Sequence, residues 1–212
     1  MKRIGEPVMP VGAADLNLAA HLFHPPRLTL ARELRGMTKA ELAERIEKSA
    51  ASIGQFEGGG KASCRPDPKT IGALALALGV PVAFFTINSP SKLLEVDACH
   101  FRSLRSTSQR ERRRLLARGS LLCDLMDFME EQVEFPREQV SAVTQTVATM
   151  DEIEQCAVSV RRSWKLGLGP INNVVNLLEK HGVLVTHIPE NCSEVDAFST
   201  WSDGRPLIFL VM

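Results

Sequence analysis

Four arginines crowd five consecutive positions, Arg110, Arg112, Arg113 and Arg114, with Glu111 the single acid among them. Ser108 stands three residues before Glu111, the spacing of a capping box, so the cluster occupies the first turns of a helix. A helix N-terminus carries partial positive charge, and each cation there is unfavourable by several tenths of a kcal/mol. Local helix stability therefore does not account for the arginines. An anionic partner does, either phosphate groups or the acidic residues of another helix; a solvated face held in place by tertiary packing accounts for them equally well. The formal net charge of zero, from 25 basic and 25 acidic side chains, hides this asymmetry. Arg102, Arg105 and Arg118 extend the basic stretch, and Asp124, Asp127, Glu130, Glu131, Glu134 and Glu138 follow it. Distribution, not the sum, decides whether a chain attracts polyanions.

The side chains that could hold a metal or attack a substrate are dispersed. The five histidines are His21, His24, His100, His181 and His187. His21 and His24 are three apart but lie beside Pro25-Pro26 with no glutamate between them, and His181 and His187 straddle a helix end and a strand. The five cysteines (Cys64, Cys99, Cys123, Cys156 and Cys192) form no CxxC pair, so they read as reduced thiols and not as a zinc knuckle or disulfide framework. Ser199 and Ser202 fall on a strand and a turn with no base in register. The expectation is a chain with no catalytic residue, no metal and no cofactor. No apolar run approaches the roughly 18 residues of a membrane span, and Gly5, Glu6, Pro7 and Asp15 interrupt any signal-peptide core. A cytoplasmic protein without a membrane partner is expected.

The elements that must position these residues follow from periodicity and caps. Residues 1–26, rich in Ala, Pro and Gly, read as a flexible arm with room for one short helix. Residues 27–87 read as five helices. Leu30, Ala31 and Leu34 form the stripe of the first, stopped at Gly36. Thr38 and Glu41 box the second, with Leu42, Ala43 and Ile46 inward. Ser49 caps the third, carrying Ile53 and Phe56, and Gly58-Gly59-Gly60 ends it. Asp67 and Pro68 open the fourth, lined by Ile71, Leu74, Ala75 and Leu78. Pro81 starts the fifth, with Val82 and Phe85. Residues 88–107 read as extended linker and 108–135 as one long helix, on which Leu115, Leu122 and Met129 recur at seven. That stripe is read as core packing, being too short for a dimer coil. Helices over about 151–165 and 171–181 and strands over 183–188, 195–201 and 207–212 complete a small α+β region, 136–212. Asp203-Gly204 is a hairpin signal between the last two strands.

Within this frame, Thr38 to Gly59 satisfies what two tightly crossed helices require: a small residue at the crossing (Ala43), a short polar turn, and bulky anchors on the second helix (Ile53 and Phe56). Together with the Phe56-Glu57-Gly58-Gly59 exit, the segment 27–87 resembles the XRE class of helix-turn-helix domains, that of the lambda-type phage repressors. The resemblance implies a mainly α, five-helix lambda-repressor-like bundle whose third helix enters the major groove of double-stranded DNA. It implies that Lys39 touches phosphate or an outer base, and that Ser49, Ala50, Ala51, Ser52 and Gln55 face the groove. Gln55 has the donor and acceptor for a bidentate pair with adenine, the serines for a base edge or phosphate, and the alanines only a methyl for thymine. On that reading the anions that meet Arg110, Arg112, Arg113 and Arg114 are DNA phosphates. Two positions depart from the family: Glu47 stands where the turn usually has glycine, and Gly54 interrupts the recognition helix.

Farther on, His100-Phe101-Arg102-Ser103-Leu104-Arg105, Gly169-Pro170-Ile171, Leu178-Glu179, Gly182-Val183, Val195 to Trp201 and Arg205-Pro206-Leu207-Ile208 resemble, in order and spacing, the N-terminal part of ImmA/IrrE-type metallopeptidase-like domains. The HExxH segment of that family, whose two histidines and glutamate make the zinc site, does not occur in these residues. The resemblance implies a sequence-specific transcriptional regulator with a small, incomplete α+β domain. Two alternatives stand beside it: a fragment of a zinc metallopeptidase-regulator, and an antitoxin-like protein-interaction module. The apolar strand 207–212 is expected to form a sheet edge, which points to a fragment of a longer regulator, to a gene cut short that kept its DNA-binding part, or to a second copy or protein partner covering that edge.

Overall fold

The computed structural model describes residues 12–58, 64–87, 93–102, 107–140, 149–189 and 195–211. They form two compact units, one drawn from 12–97 and 107–128, the other from 98–102 and 129–211. Residues 1–11 of the expected arm, Gly59, Gly60, and the string Ser103-Leu104-Arg105 lie outside the described residues.

The first unit is a helical bundle: α1 (Ala13–His21), α2 (Pro25–Leu34), α3 (Lys39–Arg45), α4 (Ala50–Phe56), α5 (Pro68–Leu78), a 3-10 turn (Val82–Thr86) and most of α6 (Gln109–Glu130). The caps sit where the sequence puts them. Thr38 Oγ1 accepts from the Glu41 amide at 3.1 Å while the Thr38 amide donates to Glu41 Oε2 at 2.7 Å. Ser49 Oγ accepts from the Ser52 amide, and Asp67 Oδ1 from the Thr70 amide. Leu28, Leu42, Ile53, Ile71, Leu74, Leu78 and Phe85 are fully buried and make the centre of the core. The fifth helix is a 3-10 turn, in which Val82 and Phe85, three apart, eclipse on one side.

Three expectations are corrected here. The segment before Arg27 is not simply a loose arm: Leu16 and Ala19 turn one face of α1 into the core, and Phe23, just past the end of that helix, packs on Phe85 with ring centroids 6.1 Å apart. The long helix packs into the core as expected, but not through the seven-residue stripe. Its buried face is Leu115, Leu116, Gly119, Ser120 and Cys123, a 3.6-residue stripe, whereas Met129 of the seven-residue series is exposed and the helix ends at Glu130. Arg27, 1% exposed, donates from Nη1 to Asp124 Oδ2 at 2.5 Å and places its guanidinium 5.5 Å from the Phe84 ring centre, tying α6 to α2. The described part of the linker, finally, is not merely extended. It holds a 3-10 turn at Val96–Ala98 and a strand, β1 (His100–Arg102), and Leu94 donates its amide to Ser120 Oγ at 2.8 Å.

The second unit carries α7 (Met150–Ser163), α8 (Val174–Lys180), β2 (Leu184–Ile188), β3 (Ala197–Ser202) and β4 (Arg205–Val211). Thr149 with Glu152, and Asn173, cap the two helices. Asp203 and Gly204, with φ 45° and 83°, close the β3–β4 hairpin in the doubly left-handed turn that matches strand twist. The sheet order is β1-β3-β4-β2, with β2 parallel to β4 and the other pairs antiparallel. The last strand is therefore interior, not an edge: Leu207 pairs with both Thr200 and Leu184. Pairing on both sides satisfies its backbone, Leu207 and Phe209 are buried on one face with Ile208 and Leu210 half-buried on the other, and the expected partner over that edge is withdrawn. Phe198 stacks between Phe101 and Phe209, at 5.1 and 4.6 Å, and Val183, Ile188 and Leu207 are also buried in this unit.

Candidate nucleic-acid interface

Ala43 is buried on the inner face of α3, and residues 46–49 join α3 to α4. Glu47 adopts φ 55°, the left-handed conformation that glycine tolerates and a β-carbon strains by about 1 kcal/mol or more. The turn holds because Lys48 donates its amide to the Ala43 carbonyl at 2.9 Å. Ile53 and Phe56 then pin α4 by one face, and Ser49, Ala50, Ala51 and Gln55 lie exposed on the other, with Ser52 half-exposed. Ser49 and Ser52 are not independent. Their hydroxyls share a hydrogen bond at 2.9 Å while Ser49 Oγ also caps the helix, which leaves Gln55 the most versatile polar group on this face. Gly54 has no tight neighbour: a β-carbon there would meet only Lys39 Nζ, at 3.9 Å.

The angle of α4 is held by an ion cluster the sequence analysis did not single out. Glu57, at the end of α4, accepts from Arg32 Nε at 2.6 Å, Arg32 Nη2 at 3.2 Å and Lys39 Nζ at 3.2 Å. Arg32 also donates to the Met37 carbonyl at 2.8 Å. The Arg32 and Glu57 side chains are 6% and 4% exposed, so this is a buried clamp between α2, α3 and α4. Its signal was present in the spacing: Arg32 lies i+4 from Leu28 and i+1 from Ala31, on the buried side of α2. Lys39, 45% exposed, is shared between this clamp and solvent.

The arginine cluster divides. Gly36, φ 62°, presents bare backbone to α6, and a β-carbon on it would lie 3.3 Å from Arg114 Cδ and 3.6 Å from Arg110 Nε. The first turn of α6 is thus seated on the turn between α2 and α3. Arg110 Nη1 meets Glu41 Oε1 at 3.2 Å. Arg110 and Arg113 face a cleft of about 350 Å³ whose wall also includes Arg32, Glu33, Gly36 and Lys39. Arg112 turns elsewhere, towards the Thr107 carbonyl at 3.5 Å, with Nε buried and unbonded. Burial pushes the Glu33 carboxyl up from its ordinary value against the fields of Arg32 and Arg113, whereas the Thr38 hydrogen bonds, and then Arg110, hold Glu41 down.

In the second unit the dispersed nucleophiles and ligands stay dispersed. His181 stacks on Trp164 at 4.1 Å with Nδ1 2.8 Å from the Leu177 carbonyl, His100 and His187 are exposed on different strands, and Ser199 sits mid-strand opposite His100 and Ile208. Among the described residues no three His, Cys, Asp or Glu side chains converge as a metal site, and no helix is long and apolar enough to cross a membrane. Neither curated proteins nor solved structures give a significant match to this chain. Residues 28–85, from α2 through the 3-10 turn at Val82–Thr86, match the family model described as helix-turn-helix.

Proposed function

We propose that the chain is a sequence-specific DNA-binding transcriptional regulator of the XRE type, acting in the cytoplasm, with α4 as its recognition helix. The observation that carries this reading is the division of α4 into a buried anchor, Ile53 and Phe56, and a free outer face ending in Gln55, within a segment that matches a helix-turn-helix family. A helix so presented fits a groove about 12 Å wide. Gln55 pairs with the N6 and N7 edge of adenine, Ala50 and Ala51 offer methyls to thymine, the serines bond a phosphate or base edge, and Lys39 reaches phosphate at the start of α3. The resemblance of the second unit to the start of ImmA/IrrE-type domains supports a regulatory rather than catalytic role for it. Zinc-dependent cleavage of a protein substrate by this chain would overturn that part.

Selection of bound fragments from genomic and random duplexes tests the main claim. The parent is expected to enrich one motif, and Gln55→Ala to lose about 1–3 kcal/mol of preference at a single A·T position while keeping overall affinity. Enrichment of no motif at low salt, or the same motif with undiminished preference in Gln55→Ala, refutes it.

A further inference from the structure

We infer that the first turn of α6 is a second phosphate-binding element, through Arg110 and Arg113 and not the whole arginine cluster, and that it carries the footprint of the chain along the DNA backbone beyond the recognition helix. The inference rests on the DNA reading above and adds to it a surface outside the α3–α4 pair. The groups concerned come from three elements and form a connected track. Lys39 Nζ lies 3.9 Å from where a β-carbon on Gly54 of α4 would stand, and Lys39 lines the same cleft as Arg110 and Arg113. Gly36 favours the arrangement, because it holds φ 62° and a β-carbon there would crowd the Arg114 side chain at 3.3 Å.

The cleft is built for an anion and is only partly neutralised from within. Four cations, Arg32, Lys39, Arg110 and Arg113, line it with one carboxylate, Glu33; two more acids, Glu57 and Glu41, partner the cations from outside that wall. Arg32 is consumed by Glu57 and the Met37 carbonyl. The Arg110–Glu41 contact joins side chains 58% and 43% exposed, an exposed pair of small net value that a phosphate oxygen displaces readily. Arg113 is exposed at the rim. Arg112 is directed to Thr107 and is not part of the track.

The chemistry recognised is a phosphate group, and a DNA backbone or a free phosphate could supply it; the track's continuity with α4 selects the backbone. Binding of the full chain to its selected duplex is measured against salt concentration. Each phosphate contact contributes about 0.9 to the slope of log K on log [salt]. The double variant Arg110→Ala, Arg113→Ala is expected to flatten the slope by about two with the enriched motif unchanged. Arg110→Lys, Arg113→Lys is expected to restore most of it, and Arg112→Gln to leave it as in the parent. Far-UV ellipticity matching the parent establishes that the double variant is folded. A parental slope in the folded double variant overturns the inference while leaving Gln55 and the recognition helix intact. Equal flattening by Arg112→Gln also overturns it, since the cluster would then act as undifferentiated charge. Saturable binding of inorganic phosphate at constant ionic strength, abolished in the double variant whose DNA slope is parental, would assign the cleft to a free anion instead. A parent that binds no duplex removes the inference together with the reading beneath it.

Discussion

Glu57→Gln isolates the clamp that sets α4. The change keeps the shape of the side chain but removes the charge between Arg32 and Lys39. In the parent the carboxylate takes three donor contacts, at 2.6, 3.2 and 3.2 Å, on side chains 6% exposed (Arg32) and 4% exposed (Glu57). Removing one partner of a buried pair costs about 3–5 kcal/mol, because the other charge stays desolvated. Glutamine keeps one acceptor for Arg32 Nε, and the Met37 carbonyl still holds Nη1, so the lower end, about 3 kcal/mol, is expected. At roughly 4–8 °C per kcal/mol for a domain of this size, the bundle melts more than about 10 °C earlier. Replacing both residues, Arg32→Met with Glu57→Leu, is expected to recover most of the loss, since no unpaired charge remains. Denaturant titration followed by far-UV ellipticity is the assay. The chain has no tyrosine, and both tryptophans, Trp164 and Trp201, belong to the second unit, so their fluorescence reports on that unit. A loss below about 1 kcal/mol in Glu57→Gln, or one read by the tryptophans alone, refutes the argument.

Other positions give sharper or opposite signs. Glu47→Gly is expected to stabilise the bundle by about 0.5–1 kcal/mol in the same titration, as relief of the left-handed strain outweighs the entropy of glycine. Gly182→Ala is expected to lower the tryptophan-monitored transition by about 2 kcal/mol or more. Gly182 has φ 79°, and a β-carbon would fall 2.5 Å from the Arg137 carbonyl oxygen and the Glu138 α-carbon, beside the His181 ring that stacks on Trp164. Acid should weaken the first unit: Glu41 and Asp67 are held below their ordinary 4.5 and 3.8 by hydrogen bonds from Thr38 and Thr70, so their contribution is complete above those values and lost as pH falls through the lowered ones. Glu33, pushed up by burial, works the other way. The denaturation midpoint should fall below pH about 4.5 less steeply in Glu41→Gln than in the parent.

The bundle was legible because its signals are local. Thr38, Ser49 and Asp67 each cap a helix through an amide three residues on, and Ile71, Leu74 and Leu78 fall inward at helical spacing. What misled the reading of α1 was composition. Ala, Pro and Gly around residues 1–26 suggested an arm, while the deciding features were three apolar residues, Leu16, Ala19 and Phe23, at helical spacing. The Arg32–Glu57 clamp spans 25 residues. Charge and cap rules act within one turn, so such a pair shows in sequence only as an arginine on the wrong side of its helix.

The same difference between local and distant information explains the sheet. Alternation and the Asp203-Gly204 turn gave β3 and β4 as a hairpin, and that needs no more than neighbouring residues. A strand apolar on both faces carries no mark of what lies beside it, and an interior strand and a bare edge read alike. The distinction rests on β2, whose parallel pairing with β4 joins Leu184 to Leu207 and Ile188 to Val211 across the chain. Parallel partners need a long crossover and leave no turn signature. The stretch His100–Arg102 closes the other side, three residues too short to announce a strand, which pair with β3 in antiparallel register. Both misplaced strands in this protein are ones whose place is fixed by a partner remote in sequence. The arginines of α6 belong to the same class: their number was visible, but the division between Arg110 and Arg113 on one side and Arg112 on the other arises only when Gly36 seats the helix on the bundle.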